Sequence, residues 1–207
     1  MNYLTSLFNW IKENYIKVSI IFILISLLYF SFIYWNHLKD QKAENSSQIY
    51  INLFNKISEG SEISLADHKE ALLKIEAIDP NSIYYVFTKS LEAKFLADEE
   101  NLIGAIESYI HAKNILDKKG SDFNFLSEII NLRLVQLYIQ IENYEAAKSL
   151  LSLDFITYGS EKYIFLGDIL KNQNDLKSAR EFYDRALELS VDQAQETFIK
   201  LKISNLN

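Results

Sequence analysis

The sequence contains no cysteine, one proline, five glycines and three histidines among its 207 residues. Without cysteine the chain forms no disulfide, no thiolate zinc site and no cysteine nucleophile, although an oxidising compartment remains open to it. Sandwiches and barrels need glycine and proline in their many turns, so the scarcity of both predicts helices. Acidic residues outnumber basic ones, because the chain has 28 Asp and Glu and 21 Lys and Arg, which gives a net charge of −7. Such a chain lacks the basic stripe with which proteins bind nucleic acid.

Residues 18–38 contain no Lys, Arg, Asp or Glu and are almost entirely apolar or aromatic. A helix of this segment is roughly 31 Å long, against a bilayer hydrocarbon core of about 30 Å. A cleaved signal peptide has a shorter apolar region followed by small residues, whereas this segment ends in bulky aromatic ones. The sequence therefore predicts one uncleaved transmembrane helix, and a buried core helix of a soluble protein is the weaker alternative.

Aromatic residues flank the predicted span, with Trp10 before it and Tyr34 and Trp35 at its end. Such rings prefer the headgroup level of a bilayer, so these three are the predicted membrane-interface residues. The basic residues on the two sides nearly balance, so charge counting leaves the orientation open. The predicted division of the chain is a short segment, the span and a soluble domain, at residues 1–17, 18–38 and 39–207.

The soluble region repeats a spacing of small and large apolar residues that is typical of tetratricopeptide repeats, each of which pairs two short helices. The first copy has Ala93, Leu96, Leu102, Ala105, Tyr109 and Ala112. The second copy has Val135, Tyr138, Tyr144, Ala147 and Leu151. The third copy has Gly167, Leu170, Leu176, Ala179, Tyr183 and Ala186. One hairpin cannot bury these side chains alone, so the copies are expected to stack.

Several signals mark the ends of the predicted helices. Gly159 and Ser160 predict a break and an N-cap that open the third copy. Ser64 and Asp67 predict a capping box within a degenerate first hairpin, where His68 takes the place of the repeat alanine. A final helix is predicted to cap the array with an apolar face formed by Val191, Ala194, Phe198 and Leu201. The predicted fold is therefore all-α: a transmembrane helix, a solenoid of about three to four hairpins and a C-terminal capping helix.

The sequence contains no motif that predicts catalysis. A glycine-rich phosphate loop, an HExxH motif and a GxSxG motif are all missing. His37, His68 and His111 lie far apart in the sequence, which disfavours a metal site. Neighbouring carboxylates such as Glu99 and Glu100 fall in a turn, where solvent keeps both ionised. The expectation is a protein without catalytic residues, cofactor, metal or small-molecule substrate.

Binding to another protein is the remaining interpretation, because stacked hairpins form an extended concave surface that suits polypeptide segments. Six tyrosines are candidate contacts on it: Tyr84, Tyr85, Tyr109, Tyr138, Tyr158 and Tyr163. For Tyr109 and Tyr138 the favoured alternative is packing between hairpins, since both occupy repeat positions.

The order of these parts and five short segments resemble the YfgM family, the ancillary subunits of the bacterial Sec translocon. The segments are Tyr34-Trp35-Asn36 at the end of the span, Asn131-Leu132-Arg133-Leu134, Gly167-Asp168, Ser178-Ala179-Arg180 and Lys202-Ile203-Ser204-Asn205-Leu206. The resemblance covers nearly the whole chain. The chain differs from the family in a shorter, less acidic N-terminal segment and in the aromatic residues of its span.

The resemblance implies a single-pass protein of the bacterial inner membrane, with a cytoplasmic N-terminus and a periplasmic repeat domain. It also implies two partners, the SecYEG translocon and a PpiD-like periplasmic chaperone, and a role in protein export. The alternative is a membrane-tethered scaffold for another assembly complex of the cell envelope. A membrane-bound enzyme is a third, weaker possibility, because the sequence displays no polar pocket.

Overall fold

The computed structural model describes residues 2–59 and 65–206, and every regular element in those ranges is a helix. The α-helices are α1 Asn2–Glu13, α2 Tyr15–Ser58, α3 Leu65–Ile78, α4 Ile83–Asp98, α5 Leu102–Leu116, α6 Asn124–Gln140, α7 Tyr144–Leu151, α8 Gly159–Asn172, α9 Leu176–Glu188 and α10 Gln193–Ser204. A short 3-10 turn, Ser121–Phe123, precedes α6. The all-α fold class predicted from the sequence is confirmed.

Helix α2 contains the apolar segment and extends well beyond it. It has 44 residues, which corresponds to about 66 Å. Among the described residues, α2 is the one helix that is long and apolar enough to cross a membrane, and its apolar segment is not buried within the protein. The helix passes residue 38 without a break and continues to Ser58. The predicted limit between span and soluble domain thus falls inside a continuous helix.

The soluble helices pack as consecutive antiparallel pairs. The end of α2 packs against α3, α4 against α5, α6 against α7, and α8 against α9. The repeat alanines Ala105, Ala147 and Ala179 are fully buried where paired helices meet. The degenerate first hairpin consists of the end of α2 together with α3, and Ser64 of its predicted capping box lies outside the described residues. Four hairpins followed by α10 therefore match the predicted solenoid.

The three repeat hairpins use one type of turn. In each turn a residue adopts the left-handed backbone conformation: Glu100 (φ 61°), Glu142 (φ 58°) and Asn174 (φ 64°). The next residue caps the second helix, because its side-chain oxygen accepts the backbone N–H three positions further on. These caps are Asn101, Asn143 and Asp175. The turn closes the first helix and opens the second within three residues, which keeps each pair antiparallel.

The start of α8 differs from the predicted N-cap at Ser160. Ser160 lies inside the helix, is buried, and donates its hydroxyl proton to the carbonyl of Ala186 at 2.8 Å. The preceding loop is held by Glu128 on α6, whose carboxylate accepts the backbone N–H groups of Ile156, Thr157 and Tyr158 at 3.0, 2.9 and 3.0 Å. The prediction for Ser160 is wrong because a tertiary carboxylate replaces the local cap.

The final helix is present, but its predicted apolar face is not the face that packs. Val191 lies before α10, and it is exposed together with Phe198 and Leu201. The contact is made by Ile199, which is fully buried against Ile164, Tyr183 and their neighbours. Helix α10 carries two apolar stripes, and only the stripe that meets α9 is covered.

Candidate binding groove

Two adjoining cavities lie along the first helices of successive hairpins. A cavity of about 510 Å³ is lined by α2, α4, α5 and α6, and its lining includes Tyr50, Phe54, Phe87, Lys94, Arg133 and Gln140. A cavity of about 310 Å³ is lined by α6 and the start of α8, and its lining includes Leu132, Arg133, Gln136, Tyr158, Glu161 and Phe165. Arg133 and Gln136 line both cavities, so the two cavities meet at these side chains and are together called here the inner groove.

One end of the inner groove is aromatic. The ring of Tyr50 on α2 lies 6.1 Å from the ring of Phe54, 6.1 Å from that of Tyr84 and 5.4 Å from that of Phe87, between ring centroids. These distances are typical of stacked and tilted aromatic pairs. Burial raises the pKa of the Tyr50 phenol, so this hydroxyl stays neutral over the physiological range. Half of Phe54 remains exposed, which leaves an apolar surface for a side chain of a partner.

The centre of the inner groove is basic. The Arg133 guanidinium donates a hydrogen bond from Nη1 to Oε1 of Gln136 at 3.3 Å. Within residues 2–59 and 65–206, no carboxylate forms an ion pair with Arg133. Its remaining N–H groups therefore point to solvent, where they can bind a carboxylate or main-chain carbonyls of a partner.

Most of the predicted repeat-packing residues lie in the interior of the domain. The fully buried ones are Ala93, Ala105, Ala112, Val135, Ala147, Ala179, Tyr183 and Ala186. Leu176 is the exception, because it opens α9 and is 40% exposed. The predicted interface residues Trp10, Tyr34 and Trp35 are all exposed on the surfaces of α1 and α2.

The six candidate contact tyrosines separate into buried and accessible ones. Tyr85 is 1% exposed, so the prediction that it contacts a partner is wrong. Tyr109 is also buried, and Tyr138 is half-buried against the cores of two neighbouring hairpins, as the packing alternative predicts for both. Tyr84 and Tyr158 line or border the inner groove, whereas Tyr163 stacks on Phe182 of α9.

Several residues of the groove were missed by reasoning from the sequence, above all Phe54, Phe87 and Arg133. A usable signal exists in α4, where Tyr84, Phe87 and Leu91 form an apolar stripe at helical spacing in addition to the stripe that packs. A helix that is apolar on two sides has more apolar surface than its hairpin buries.

The buried His68 is the one histidine in the core. Its Nε2 lies 2.9 Å from the carbonyl oxygen of Thr88, and the bond requires a proton on Nε2. Its Nδ1 has no hydrogen-bond partner within the described part of the chain. Burial lowers the pKa of His68 below its ordinary 6.5, against smaller opposing effects of Thr88 and the Glu92 carboxylate. A proton added at Nδ1 would place a charge inside the domain.

We expect this histidine to make the domain sensitive to mild acid. The folded pKa is lower than the unfolded one, so His68 contributes stability above pH 6.5 that is lost as the pH falls below it, by up to about 1.4 kcal/mol per pH unit. Urea unfolding of the full chain in detergent, followed by circular dichroism at pH 7.5, 6.5 and 5.5, measures this loss. His68→Gln should reduce the slope, because glutamine can donate to Thr88 without titrating. The exposed His111→Gln is the matched control, and equal slopes in both variants would contradict the assignment.

The groove presents aromatic and charged surfaces on which a partner can bind. Its charged side chains include Lys94 and Asp98 on α4, Arg133 on α6 and Glu161 on α8, so they are spread over three helices. Across the described residues, no group of three or more His, Cys, Asp or Glu side chains could hold a metal ion. Aromatic rings at one end and an unpaired guanidinium at the centre suit a polypeptide segment that carries apolar and acidic side chains.

Comparison with known proteins agrees with this architecture. The chain is similar to the ancillary SecYEG translocon subunit of Escherichia coli (strain K12), with 25% identity over 190 residues, 84% of this chain and 80% of the relative. It is also similar to the ancillary SecYEG translocon subunit of Haemophilus influenzae, with 26% identity over 200 residues, 96% of this chain and 93% of the relative. Residues 9–207 match the family described as tetratricopeptide repeat-like domain. The chain therefore belongs to the tetratricopeptide repeat-like family that includes the YfgM-type ancillary translocon subunits.

Proposed function

We propose that this protein is a membrane-anchored, non-enzymatic adaptor of the bacterial Sec translocon that links the channel to periplasmic chaperones during protein export. The observation that carries the proposal is the nearly full-length similarity to two proteins that are both named ancillary SecYEG translocon subunit. The apolar helix and the hairpin array supply the two parts that an adaptor needs, an anchor and a surface for a partner protein.

The proposed topology is a single span of the inner membrane at residues 18–38, with residues 1–17 in the cytoplasm and residues 39–207 in the periplasm. A chain without cysteine is compatible with an oxidising compartment. The soluble domain is acidic, so anionic headgroups repel it, and α2 extends 20 residues past the span, about 30 Å. In this arrangement Tyr50 and Phe54 stand roughly 18 to 24 Å beyond residue 38. A partner in the inner groove would be held close to the exit of the channel.

The two partners are proposed to use different surfaces. The channel contacts the span, where α2 exposes mainly apolar and aromatic side chains. A segment of a PpiD-like chaperone occupies the inner groove, with an apolar side chain between Phe54 and Phe87 and a carboxylate on Arg133. Because α2 forms both the span and one wall of the groove, the helix itself joins the two contacts.

The test is a crosslinking pull-down of the full-length protein from native membranes, with partners identified by mass spectrometry. We expect channel subunits together with a PpiD-like chaperone. A matched variant in which residues 18–38 are replaced by an unrelated apolar span should lose the channel and keep the chaperone. Repeated recovery of other envelope proteins without channel subunits would refute the proposal and favour a scaffold for a different complex.

Because the two partners are proposed to bind different surfaces, Phe54→Asp should weaken binding of the chaperone alone. This change places a charge at the aromatic end of the groove, and it should lower recovery of the chaperone at least fivefold while recovery of the channel stays unchanged. Leu73→Asp on α3 is the matched control, because Leu73 is similarly exposed and does not line the groove. Equal recovery of the chaperone with both variants would remove the groove from the proposed mechanism.

A further inference from the structure

Helix α1 separates its apolar and polar side chains completely. At 100° per residue, the described apolar side chains occupy one half of the helix, at Tyr3, Leu7, Phe8, Trp10 and Ile11. The described polar ones occupy the other half, at Ser6, Asn9, Lys12 and Glu13. All five apolar side chains are exposed, from 38% for Ile11 to 92% for Tyr3. An apolar face of this extent is unstable in water unless something covers it.

The helix is not a continuation of the span. Asn14 departs from helical geometry, with φ −112° and ψ 22°, and separates α1 from α2. Its backbone N–H and its side-chain Nδ2 both donate to the carbonyl of Trp10 at 3.0 Å, and the N–H of Val18 donates to the carbonyl of Asn14 at 3.0 Å, so the chain bends at Asn14 while the backbone hydrogen bonds on either side are kept. Residues 18–38 already fill the hydrocarbon core, and Lys12, Glu13 and Lys17 lie between that segment and the apolar face of α1. Charged side chains at the junction keep α1 out of the membrane interior.

We propose that α1 is an interfacial helix that lies along the bilayer surface where the span begins, with its apolar face buried at the boundary of headgroups and acyl chains. The occupant of that face is lipid, because only four residues separate Glu13 from Val18 and the face cannot move far from the bilayer. Such helices bury their apolar side about 5 to 10 Å deep. This inference rests on the proposed span at residues 18–38 and adds to it a second contact with the membrane.

The charges on α1 indicate which lipids it needs. Its polar half carries one Lys and one Glu, so it has no net attraction for anionic headgroups. Burial of the apolar side chains is then the driving force. Binding should be equally strong on phosphatidylcholine alone and on mixtures with phosphatidylglycerol, and salt should not weaken it.

The absence of native cysteine makes this arrangement directly measurable. Six variants of the full chain each carry one spin-labelled cysteine, on the apolar face at Leu7, Phe8 or Ile11 and on the polar face at Ser6, Asn9 or Glu13. Each variant is reconstituted in phosphatidylcholine vesicles, and a neutral nickel chelate is present on both sides of the membrane. The three polar positions should collide with the chelate at least fivefold more often than the three apolar ones. Equal collision rates at all six positions would overturn the proposal. Protection that is found only in native membranes would overturn it too, because a protein would then cover the face.

A label at Ile23 separates this inference from the proposed span. Protection at Ile23 with equal rates on α1 would refute the interfacial helix and leave the span intact. Free access at Ile23 would refute the span, and the interfacial helix with it.

A matched pair of charged variants gives a second readout. The chain has two tryptophans, so Trp35→Phe leaves Trp10 as the only reporter. In this background Phe8→Glu should shift the Trp10 emission towards longer wavelength, because a carboxylate on the apolar face lifts the helix into water. Asn9→Glu adds the same charge to the polar face and should leave the emission unchanged. Identical spectra for the two variants would contradict the interfacial position.

Discussion

Replacement of Gly167 by alanine should destabilise the soluble domain by about 2 kcal/mol. A Cβ built at this position meets the ring of Tyr183 at 2.4 and 2.6 Å from Cε1 and Cδ1, far inside van der Waals contact. Helix propensity alone would favour alanine over glycine by about 1 kcal/mol. The two effects have opposite signs, so the direction of the change shows whether the close approach of α8 and α9 controls this position.

The ring of Tyr183 cannot easily move away. It is fully buried, and its hydroxyl donates to Oδ1 of Asp168 at 2.6 Å. Asp168 also accepts from Nζ of Lys202 on α10, at 2.7 and 3.0 Å. Burial and the bond to Asp168 raise the pKa of the Tyr183 phenol, so it remains a donor at neutral pH. A displacement of the ring would disturb α8, α9 and α10 together.

Urea unfolding of the full chain in detergent measures the effect, with Gly159→Ala as the matched control. A Cβ at Gly159 meets only Leu189 at 3.5 Å, an ordinary contact, so this control should change stability by less than about 0.5 kcal/mol. In a Tyr183→Leu background the cost of Gly167→Ala should fall by more than about 1 kcal/mol. A stabilised Gly167→Ala variant, or the same cost in both backgrounds, would show that the contact is relieved without strain.

The close approach of paired helices, as at Gly167, also explains why the repeats could be predicted from the sequence. Small residues such as Gly167 and Ala179 are required where two backbones approach, and few other side chains fit there. That constraint acts within one hairpin, so small residues recur in the sequence at a fixed spacing. The order of the hairpins, their number and the identity of the buried alanines follow from it.

The predictions that proved wrong concern side chains whose burial depends on parts of the chain that are distant in sequence. Helix α10 has two apolar stripes, and only the position of α9 selects Ile199 over Phe198. Tyr85 resembles a surface tyrosine in the sequence, whereas the packing of α3 and α5 against α4 buries it. The inner groove is a further case, because its lining comes from five helices that no local pattern connects. A second apolar stripe, as in α4 and α10, shows that a helix has more apolar surface than one contact buries, but its spacing does not show which stripe is covered.

The apparent N-cap at Ser160 is the most instructive error, because the true support lies about 30 residues earlier in the sequence. Glu128 is 5% exposed, and its two carboxylate oxygens accept three consecutive backbone N–H groups of the loop between α7 and α8. A buried glutamate in the second turn of α6 is costly unless donors surround it. Such a residue is therefore a usable sign of a tertiary contact, although the sequence does not identify the donors.

Replacement of Glu128 by alanine should destabilise the domain by about 2 to 3 kcal/mol, since three backbone donors lose a charge-assisted acceptor together. The amides of residues 156–158 should exchange with solvent at least tenfold faster, because all three lose the acceptor to which they donate. Glu128→Gln should have an intermediate effect, since its amide group supplies one acceptor oxygen and turns two N–H donors towards the loop.

Glu145→Ala on α7 is the matched control, because the side chain of Glu145 is 90% exposed and forms only a 3.8 Å contact with Lys148. An exposed ion pair of this length contributes little, so this variant should behave as the unsubstituted chain in both urea unfolding and hydrogen exchange. If Glu128→Ala were no less stable than Glu145→Ala, and its loop amides exchanged at the native rate, water would be supporting the loop equally well. The loss is expected instead, because the buried carboxylate is the acceptor for three consecutive backbone N–H groups just before α8, and the contact between the Phe125 and Tyr158 rings supplies none.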